Sequence, residues 1–336
     1  MSKFQKTVFI TGASSGIGLS TAVYLLNLGH NVIGTSRSPD KLSVKLLEER
    51  YQREHMKYKF QNKQRTKVVA VKSVIPDDIK TNLHELLDTI KFYQLSLANR
   101  ESINNAINNA WKENNGQNGG IDVLINNAGN GYYGGVEELP MDLVKDQFEI
   151  NYFGQIRVIK AILPLMRPVG GKIINIASIA GFLGIPFQPQ YSATKAALLR
   201  MTESLRNELK SYDISVCAVL PGNMNTSFNV ESLKLHHLGD DMTSTDIEKM
   251  LESLPVNTDS PYYDENKNVW REVMLSLITA PSPLKVAKKI AKIIGKKHPK
   301  SQYVVACFLE TLLMKYMRHI IPHSIGVNLI GKFFGL

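Results

Sequence analysis

The amino-acid sequence predicts an α/β protein built on a doubly wound, seven-stranded and mostly parallel sheet that is flanked by helices. Short apolar runs rich in β-branched residues alternate along the chain with segments of helical periodicity, which is the order of a parallel sheet with crossover helices. A glycine-rich turn separates the first run from the first helix, as in Rossmann-type folds. At 336 residues, of which 43% are hydrophobic and 21% charged, the chain is large and apolar enough for such a core.

The first strand is predicted at Thr7–Ile10, and a glycine loop from Thr11 to Gly18 leads from it into a helix that ends near Leu28. The loop has the spacing Gly-x-x-x-Gly-x-Gly, which departs from the common Gly-x-Gly-x-x-Gly pattern. Glycines let the backbone approach a pyrophosphate closely, and the free N–H groups at the start of the helix meet its charge. The loop therefore predicts a dinucleotide site.

The second strand, predicted at Asn31–Thr35, indicates which dinucleotide is bound. It ends in Ser36 and Arg37, and no acid follows until Asp40. NAD-selective proteins place an acid on the ribose hydroxyls at this point, whereas an arginine accommodates the 2′-phosphate of NADP. The sequence therefore favours NADP over NAD, the alternative being that Arg37 is a solvated surface charge.

The chain from about residue 48 to 90 is longer than one crossover helix requires, and it predicts an insertion between strands 2 and 3. Residues 48–72 are highly charged; a small extra strand is expected at Lys67–Val71 and a helix at Leu83–Ile90. We interpret the insertion as a solvated surface elaboration. The third core strand is then expected at Phe92–Leu97.

The remaining strands are predicted from four apolar runs, Ile121–Ile125, Gly171–Ala177, Ile214–Leu220 and Gln302–Ala306. Helices are predicted between them, at about 99–114, 140–166 and 191–212. The carboxyl ends of parallel strands meet at one edge of a sheet, where cofactors bind. Polar or turn-forming residues follow three of these strands, Asn126 to Gly129, Ser178, and Pro221 with Gly222.

Tyr191 and Lys195 open the helix after Ser178 and lie four residues apart, so they share one helix face. A nearby ammonium favours the phenolate and lowers the phenol pKa from its usual value of about 10. Such tuning is what acid–base catalysis at neutral pH requires. Taken alone, the pair is equally well explained as an ordinary pair on a helix surface.

Taken together and in order, these motifs resemble the short-chain dehydrogenase/reductase family. The resemblance runs from about residue 5 to 230, interrupted by the insertion, and continues weakly to about 310. Ser96 departs from the family pattern, because the family usually has an aspartate there that contacts adenine. The residues that carry the resemblance are Thr11-Gly12-x-x-x-Gly16-x-Gly18, Asn126-Asn127-Ala128-Gly129, Asn151, Ser178, Tyr191-x-x-x-Lys195, Pro221-Gly222 and Thr226.

The resemblance implies a role for each catalytic residue. Tyr191 would be the general acid in ketone reduction and the general base in alcohol oxidation, while Lys195 would lower the tyrosine pKa and hold the nicotinamide ribose. Ser178 would hydrogen-bond the reacting oxygen. Asn151 would connect Lys195 to solvent through water.

The resemblance also implies an NADP(H)-dependent oxidoreductase and a set of cofactor-binding residues. Thr226 would meet the nicotinamide carboxamide. The implied set is Gly12, Ser14, Ser15, Gly16, Ile17, Gly18, Ser36, Arg37, Asn126, Ala128, Gly129, Tyr191, Lys195, Pro221, Gly222 and Thr226. The alternatives are a non-catalytic NADP-binding regulatory or scaffold protein and an NAD-dependent alcohol dehydrogenase.

We predict one catalytic domain over residues 1–300, with a substrate lid at about 223–280, followed by a last strand and an apolar, helical C-terminal extension at 301–336. The loop Ile179–Gln190 is apolar for a surface connection, and the lid is rich in aromatic residues. Both favour a lipophilic ketone, aldehyde or secondary alcohol, such as a steroid, a retinoid or another lipid-like carbonyl. The extension looks like that of hydroxysteroid- and retinoid-type members, and could form a pocket wall, contact a second subunit or contact a membrane.

The formal net charge of +10 is partly local, because residues Leu284–Lys300 carry seven lysines and no acid. Their apolar positions lie on one helix face, which suits an anionic bilayer or, as we prefer, an amphipathic surface helix of the domain. Aromatic residues are not interleaved with basic ones, so no nucleic acid is expected as partner. The expected partners are the small substrate, a membrane bound peripherally through residues 284–336, and a second copy in a homodimer.

Cys217 and Cys307 lie in separate apolar runs, which argues against a disulfide framework and against a metal site. The N-terminal residues lead directly into the first strand without the pattern of a signal peptide. A continuous apolar stretch of about 20 residues, as needed to span a bilayer, does not occur. The sequence therefore predicts a cytoplasmic protein, with membrane association as the further expectation stated above.

Overall fold

The computed structural model describes residues 5–60, 68–114, 120–228, 258–278, 280–307, 311 and 323–336. Most of the predicted lid, residues 229–257, lies outside the described residues. So do residues 308–310 and 312–322 of the predicted C-terminal extension.

A seven-stranded sheet forms the centre of the molecule, and its strands run in the order β5-β2-β1-β6-β7-β8-β9 with every neighbouring pair parallel. The strand order reverses between β1 and β6, which is where ligands bind in such sheets. The predicted doubly wound fold class is confirmed. The strands of the structure are β1 Thr7–Ile10, β2 Asn31–Ser36, β3 Met56–Phe60, β4 Val68–Ser73, β5 Lys91–Gln94, β6 Val123–Asn126, β7 Gly171–Ile176, β8 Ile214–Pro221 and β9 Gln302–Val305.

Helices cover both faces of the sheet, and the central strands are buried accordingly; Val8, Phe9 and Ile10 of β1 are all fully buried. Among the described helices, none is long and apolar enough to cross a membrane. The helices are α1 Gly16–Asn27, α2 Val44–Glu54, α3 Asp77–Asp88, α4 Arg100–Glu113, α5 Met141–Phe148, α6 Gln155–Met166, α7 Pro189–Glu208, α8 Tyr263–Ile278, α9 Leu284–Ile294 and α10 His323–Phe333.

The lysine-rich helix α9 packs against α1. Its apolar residues Val286, Ile290 and Ile293 are fully buried in the core that α1 shares with the sheet. The burial of this face agrees with an amphipathic surface helix of the domain. The lysines of α9 lie on its outer side because the inner side belongs to the core.

The segment between β2 and β5 is more than a solvated elaboration, and this corrects the interpretation of the sequence. Strands β3 and β4 form an antiparallel hairpin apart from the main sheet. On the adjoining helix α2, the Tyr51 ring is fully buried and stacks on His55, with 4.0 Å between the ring centroids. Nε2 of His55 lies 3.0 Å from Oγ of Ser20 on α1. The segment is therefore docked on the helix that carries the glycine loop.

Strand β5 begins and ends earlier than the predicted Phe92–Leu97. The chain leaves the sheet because a turn follows at once: the Asn99 N–H donates to the Ser96 carbonyl, at 3.0 Å. Oδ1 of Asn99 in turn accepts from the Ser102 N–H, at 3.0 Å, and caps α4. The cap thus sets the end of the strand, which an apolar run alone does not mark.

Candidate active site

A cleft of about 1400 Å³ opens at the carboxyl edge of the sheet. The ends of β1, β2, β6, β7 and β8 meet there, as expected for strands that all point the same way. The cleft brings together most of the predicted site residues, which are Gly12, Ser14, Ser15, Gly16, Ile17, Ser36, Arg37, Ala128, Gly129, Ser178, Tyr191, Lys195, Pro221, Gly222 and Thr226.

The glycine loop requires glycine for two reasons, backbone conformation and space. Gly12 and Gly16 have φ angles of +67° and +58°, in the left-handed region that other residues adopt at a cost. Gly18 has no room for a side chain, because a Cβ atom there would lie 2.1 Å from the carbonyl oxygen of Gly12. The loop is also tied to β6, since Nδ2 of Asn127 donates to the carbonyl oxygens of Thr11 and Gly12, each at 3.0 Å.

The start of α1 offers a binding site for an anion. The Ser15 side chain makes no capping hydrogen bond there, and of the terminal N–H groups that of Gly16 donates to the Glu54 carboxyl group. Ile17 lines the cleft next to it. Arg37 and Arg50 line the same part of the cleft, and Arg50 donates to the carbonyl oxygen of Ser14 at 3.0 Å. A helix N-terminus beside two guanidinium groups fits the phosphates of a dinucleotide such as NADP.

Ser178, Tyr191 and Lys195 converge at the end of β7. Ser178 stands two residues beyond that strand, and Tyr191 and Lys195 lie in the first turns of α7. Nζ of Lys195 donates to the carbonyl oxygen of Ile176 at 3.2 Å and lies 5.7 Å from the centroid of the Tyr191 ring. The lysine is only 4% exposed. Its ammonium group is thus held by the strand end beside the phenol.

Burial controls the ionisation of the tyrosine and the lysine. Desolvation raises the pKa of Tyr191 to about 12, although a hydrogen bond with Ser178 acts in the opposite direction. Desolvation lowers the pKa of Lys195 to about 8. The polypeptide alone therefore keeps the phenol neutral, whereas the sequence led us to expect a lysine that lowers the tyrosine pKa. Burial of the phenol is the larger influence, and the ammonium group of Lys195 is bonded to the carbonyl oxygen of Ile176.

Asn151 lies behind the cleft and does not line it. It belongs to a π-helical segment, Glu149–Gly154, between α5 and α6, which turns its side chain inward and buries it completely. Oδ1 of Asn151 accepts from the Asn130 N–H at 2.9 Å, and its Nδ2 donates to the Asn130 carbonyl at 2.8 Å. A Cβ atom on Gly129 would lie 2.8 Å from this Oδ1 and 3.7 Å from Nζ of Lys195. Oδ1 of Asn151 and Nζ of Lys195 thus both lie close to Gly129.

Two predicted cofactor residues, Gly18 and Asn126, also lie outside the cleft. Asn126 is fully buried, and its Nδ2 donates to Oδ1 of Asn175 at 3.1 Å, which links β6 to β7. Its neighbour Asn127 is the residue that contacts the glycine loop. Gly18 supports the loop by leaving space for the Gly12 carbonyl.

Sequence reasoning missed Glu54, a buried acid beside the glycine loop, because it lies in a run of charged residues. A signal was nevertheless present in the helical spacing. Glu54 follows Leu47 by seven residues and Tyr51 by three, so it belongs to the buried stripe of α2.

Apolar and aromatic side chains wall the cleft around Tyr191. The centroids of the Tyr133 and Phe228 rings lie 5.8 and 6.0 Å from that of Tyr191. The buried Trp270 of α8 packs against Tyr133, with 5.4 Å between the ring centroids, and does not itself line the cleft. Further apolar residues come from the predicted loop and from α10 and the residue after it, namely Leu183, Ile185, Leu329, Ile330, Phe333 and Phe334.

Comparison with known proteins gives the family. The model of the short chain dehydrogenase family matches residues 6–78 and 62–235. The chain is 30% identical to 3-ketodihydrosphingosine reductase of Bacteroides thetaiotaomicron, over 92% of this chain and 90% of that protein. It is 29% identical to retinol dehydrogenase 8 of Bos taurus, over 89% of this chain and 81% of the relative.

A solved structure gives the same fold. A short-chain dehydrogenase from Streptomyces avermitilis superposes with a TM-score of 0.63 at 24% identity, over 95% of this chain and 97% of that one. The matched family model extends from the glycine loop past Thr226 and so includes every motif of the cleft. The chain belongs to the short-chain dehydrogenase family and is an oxidoreductase.

Proposed function

We propose that this protein transfers a hydride between NADP(H) and a lipophilic ketone, aldehyde or secondary alcohol of the steroid, retinoid or other lipid-like class. One observation carries the proposal: Ser178, Tyr191 and Lys195 lie in a cleft that aromatic and aliphatic side chains also line, and the rings of Tyr133 and Phe228 lie beside that of Tyr191. Catalytic polar groups beside aromatic and aliphatic side chains suit a substrate with one reactive oxygen on a hydrophobic body.

The names of two relatives support a lipid-like substrate. One is a reductase of 3-ketodihydrosphingosine and the other a retinol dehydrogenase, so both names refer to an oxygen function on a long apolar molecule. Apolar side chains of α10, such as Ile330 and Phe333, line the cleft and support the view that the C-terminal extension forms a pocket wall. Membrane association and a homodimer stay predictions.

The residues at the end of β2 support NADP over NAD. Ser36 and Arg37 line the cleft at the point where an NAD-selective protein would carry an acid. A guanidinium group pairs well with a phosphate and poorly replaces a carboxylate on ribose hydroxyls. NAD is the second candidate cofactor.

The catalytic residues can perform the proton transfer as follows. A bound NADPH supplies the hydride. The Tyr191 hydroxyl, neutral because its pKa is raised to about 12, donates its proton to the carbonyl oxygen of the substrate, and Ser178 donates a hydrogen bond to the same atom. Lys195 stabilises the phenolate that forms and, with its pKa lowered to about 8, can return a proton near neutral pH. Asn151 holds Asn130 through two hydrogen bonds, and its part in connecting Lys195 to solvent through water stays a prediction.

The proposal is tested by a panel of lipophilic and small polar ketones and aldehydes, assayed for NADPH oxidation. We expect activity with the lipophilic compounds, and a loss of about 100-fold or more in Tyr191→Phe, which lacks the proton donor. NADPH should still bind to that variant in a fluorescence titration. Tyr212→Phe, which changes a tyrosine outside the cleft, serves as the control.

Two results would contradict the proposal. Substantial turnover by Tyr191→Phe would remove the tyrosine from the chemistry. A wild-type protein that binds NADPH but oxidises it with none of the panel would favour the non-catalytic alternative.

A further inference from the structure

Glu54, the last residue of α2, places a buried carboxyl group against the dinucleotide loop. The residue is 3% exposed, and its Oε1 and Oε2 lie 2.9 and 2.8 Å from the Gly16 nitrogen, whose N–H donates to them. Oε1 also accepts from Ser227, at 3.2 Å from its backbone nitrogen and 3.0 Å from its hydroxyl. One side chain thus joins the glycine loop to the segment that follows β8.

Thr226 and Phe228, on either side of Ser227, both line the cleft, the first at the glycine loop and the second beside Tyr191. On one side Thr226 lies against the glycine loop, because a Cβ atom on Gly16 would be 3.5 Å from Cβ of Thr226. On the other side the ring of Phe228 lies 6.0 Å from that of Tyr191, centroid to centroid. A bond that fixes Ser227 therefore fixes a neighbour at the dinucleotide loop and a neighbour at the proton donor.

Neighbouring residues of the segment between β2 and β5 make further contacts that hold Glu54 in position. Arg50, one turn earlier on α2, donates to the Ser14 carbonyl, and His55 lies within hydrogen-bonding distance of Ser20. Nδ2 of Asn225 donates to the Met56 carbonyl at 3.3 Å, so the segment after β8 also contacts the start of β3. Since these contacts surround Glu54, its carboxyl group is a fixed acceptor.

We propose that Glu54 is a positioning residue, which holds residues 225–228 against the dinucleotide loop and thereby sets Thr226 beside the cofactor and Phe228 against Tyr191. The proposal rests on the function proposed above and adds a part played by the inserted segment. Glu54 acts through Ser227 and Gly16, and does not itself touch the reacting atoms.

The test compares Glu54→Ala, which removes the acceptor, with Glu54→Gln, which keeps an amide oxygen in its place. NADPH binding is measured by fluorescence titration with NADPH alone, and kcat and KM with the best substrate of the panel. We expect Glu54→Ala to weaken NADPH binding and to lower kcat/KM, each about tenfold or more, because the Gly16 N–H, the Ser227 N–H and the Ser227 hydroxyl all lose their acceptor. NADPH affinity and kcat/KM of Glu54→Gln should stay within about threefold of wild type. Such a rescue would not occur if the negative charge of Glu54 were required.

A double-mutant cycle tests the route through Ser227. We expect Ser227→Ala alone to lower kcat/KM about threefold, and the double variant Glu54→Ala/Ser227→Ala to match Glu54→Ala within about twofold, because the shared bond is already lost. Glu49→Ala, which removes an exposed acid from the same helix, should behave as wild type.

The proposal is overturned if Glu54→Ala keeps wild-type NADPH affinity and kcat/KM, or if the losses caused by Glu54→Ala and Ser227→Ala are additive. If Glu54→Ala does not fold, the soluble Ser227→Ala and Glu54→Gln variants decide: unchanged kinetics in Ser227→Ala, or a tenfold loss in Glu54→Gln, overturns it. If wild type reduces none of the panel, the proposed function fails, yet the NADPH titration still tests Glu54.

Discussion

Replacing Gly18 by alanine should weaken dinucleotide binding, and the size of the steric conflict can be taken from the structure. The new Cβ would lie 2.1 Å from the carbonyl oxygen of Gly12 and 2.6 Å from Nδ2 of Asn127, whereas Cβ contacts below 3.0 Å are essentially never observed. The Gly12 oxygen belongs to the backbone and cannot rotate away. The glycine loop must therefore move by about 1 Å, which disturbs the N–H groups that would meet the pyrophosphate.

We expect Gly18→Ala to raise the Kd for NADPH at least tenfold and to lower the free energy of unfolding by about 1–3 kcal/mol, the usual range for overpacking. A fluorescence titration with NADPH and urea unfolding measure the two effects. Gly295→Ala is the matched control, because its φ is −72° and the nearest atoms to an added Cβ are 4.0 Å away. Wild-type NADPH affinity in Gly18→Ala would refute the reasoning.

Three further predictions concern the cofactor, the inserted segment and the sheet. Arg37→Asp should shift the ratio of kcat/KM for NADPH and NADH towards NADH, because the guanidinium group would be replaced by an acceptor for ribose hydroxyls; an unchanged ratio would show that Arg37 is a solvated charge. Burial raises the pKa of Glu54 from 4.5 to about 7, so the folded state binds this proton more tightly than the unfolded state does. The contribution of Glu54 to the free energy of unfolding should therefore be full below pH 4.5 and be lost as the pH rises through about 7. Between pH 5.5 and 8, urea unfolding should show a loss of about 2 kcal/mol in wild type relative to Glu54→Gln, and parallel pH profiles would contradict this. Asn126→Ala should lower the free energy of unfolding by about 1–3 kcal/mol, because Oδ1 of Asn175 loses a donor. NADPH affinity should stay near the wild-type value. Weaker NADPH binding with an unchanged free energy of unfolding would show instead that Asn126 contacts the cofactor.

Much of the site could be predicted because it lies where parallel strands end. Ser178 follows β7, Gly12 follows β1 and Gly222 follows β8, and a parallel sheet brings such positions to one edge whatever the loops between them do. The four-residue spacing of Tyr191 and Lys195 likewise follows from helical geometry. These inferences need only strand order and local periodicity.

The predictions that failed depended on contacts between distant parts of the chain. The charged residues of α2 resemble a solvated surface, yet Glu54 and His55 are buried because α1 and the segment after β8 pack over them. The spacing of Tyr191 and Lys195 suggested a lowered phenol pKa, yet enclosure of the pair raises it. Desolvation depends on everything packed around a group, and local sequence does not record this.

The sequence was enough to predict the doubly wound sheet, the glycine loop at the start of α1, and Ser178, Tyr191 and Lys195 at the end of β7. It could do so because hydrophobic periodicity and glycine geometry are local properties. Only the packing of distant segments shows that Asn126 bonds to Asn175 within the sheet whereas Asn127 bonds to the glycine loop, and that Glu54 links the inserted segment to the cleft. Both depend on which side chains meet in space, across separations of 49 residues for Asn126 with Asn175 and 173 residues for Glu54 with Ser227.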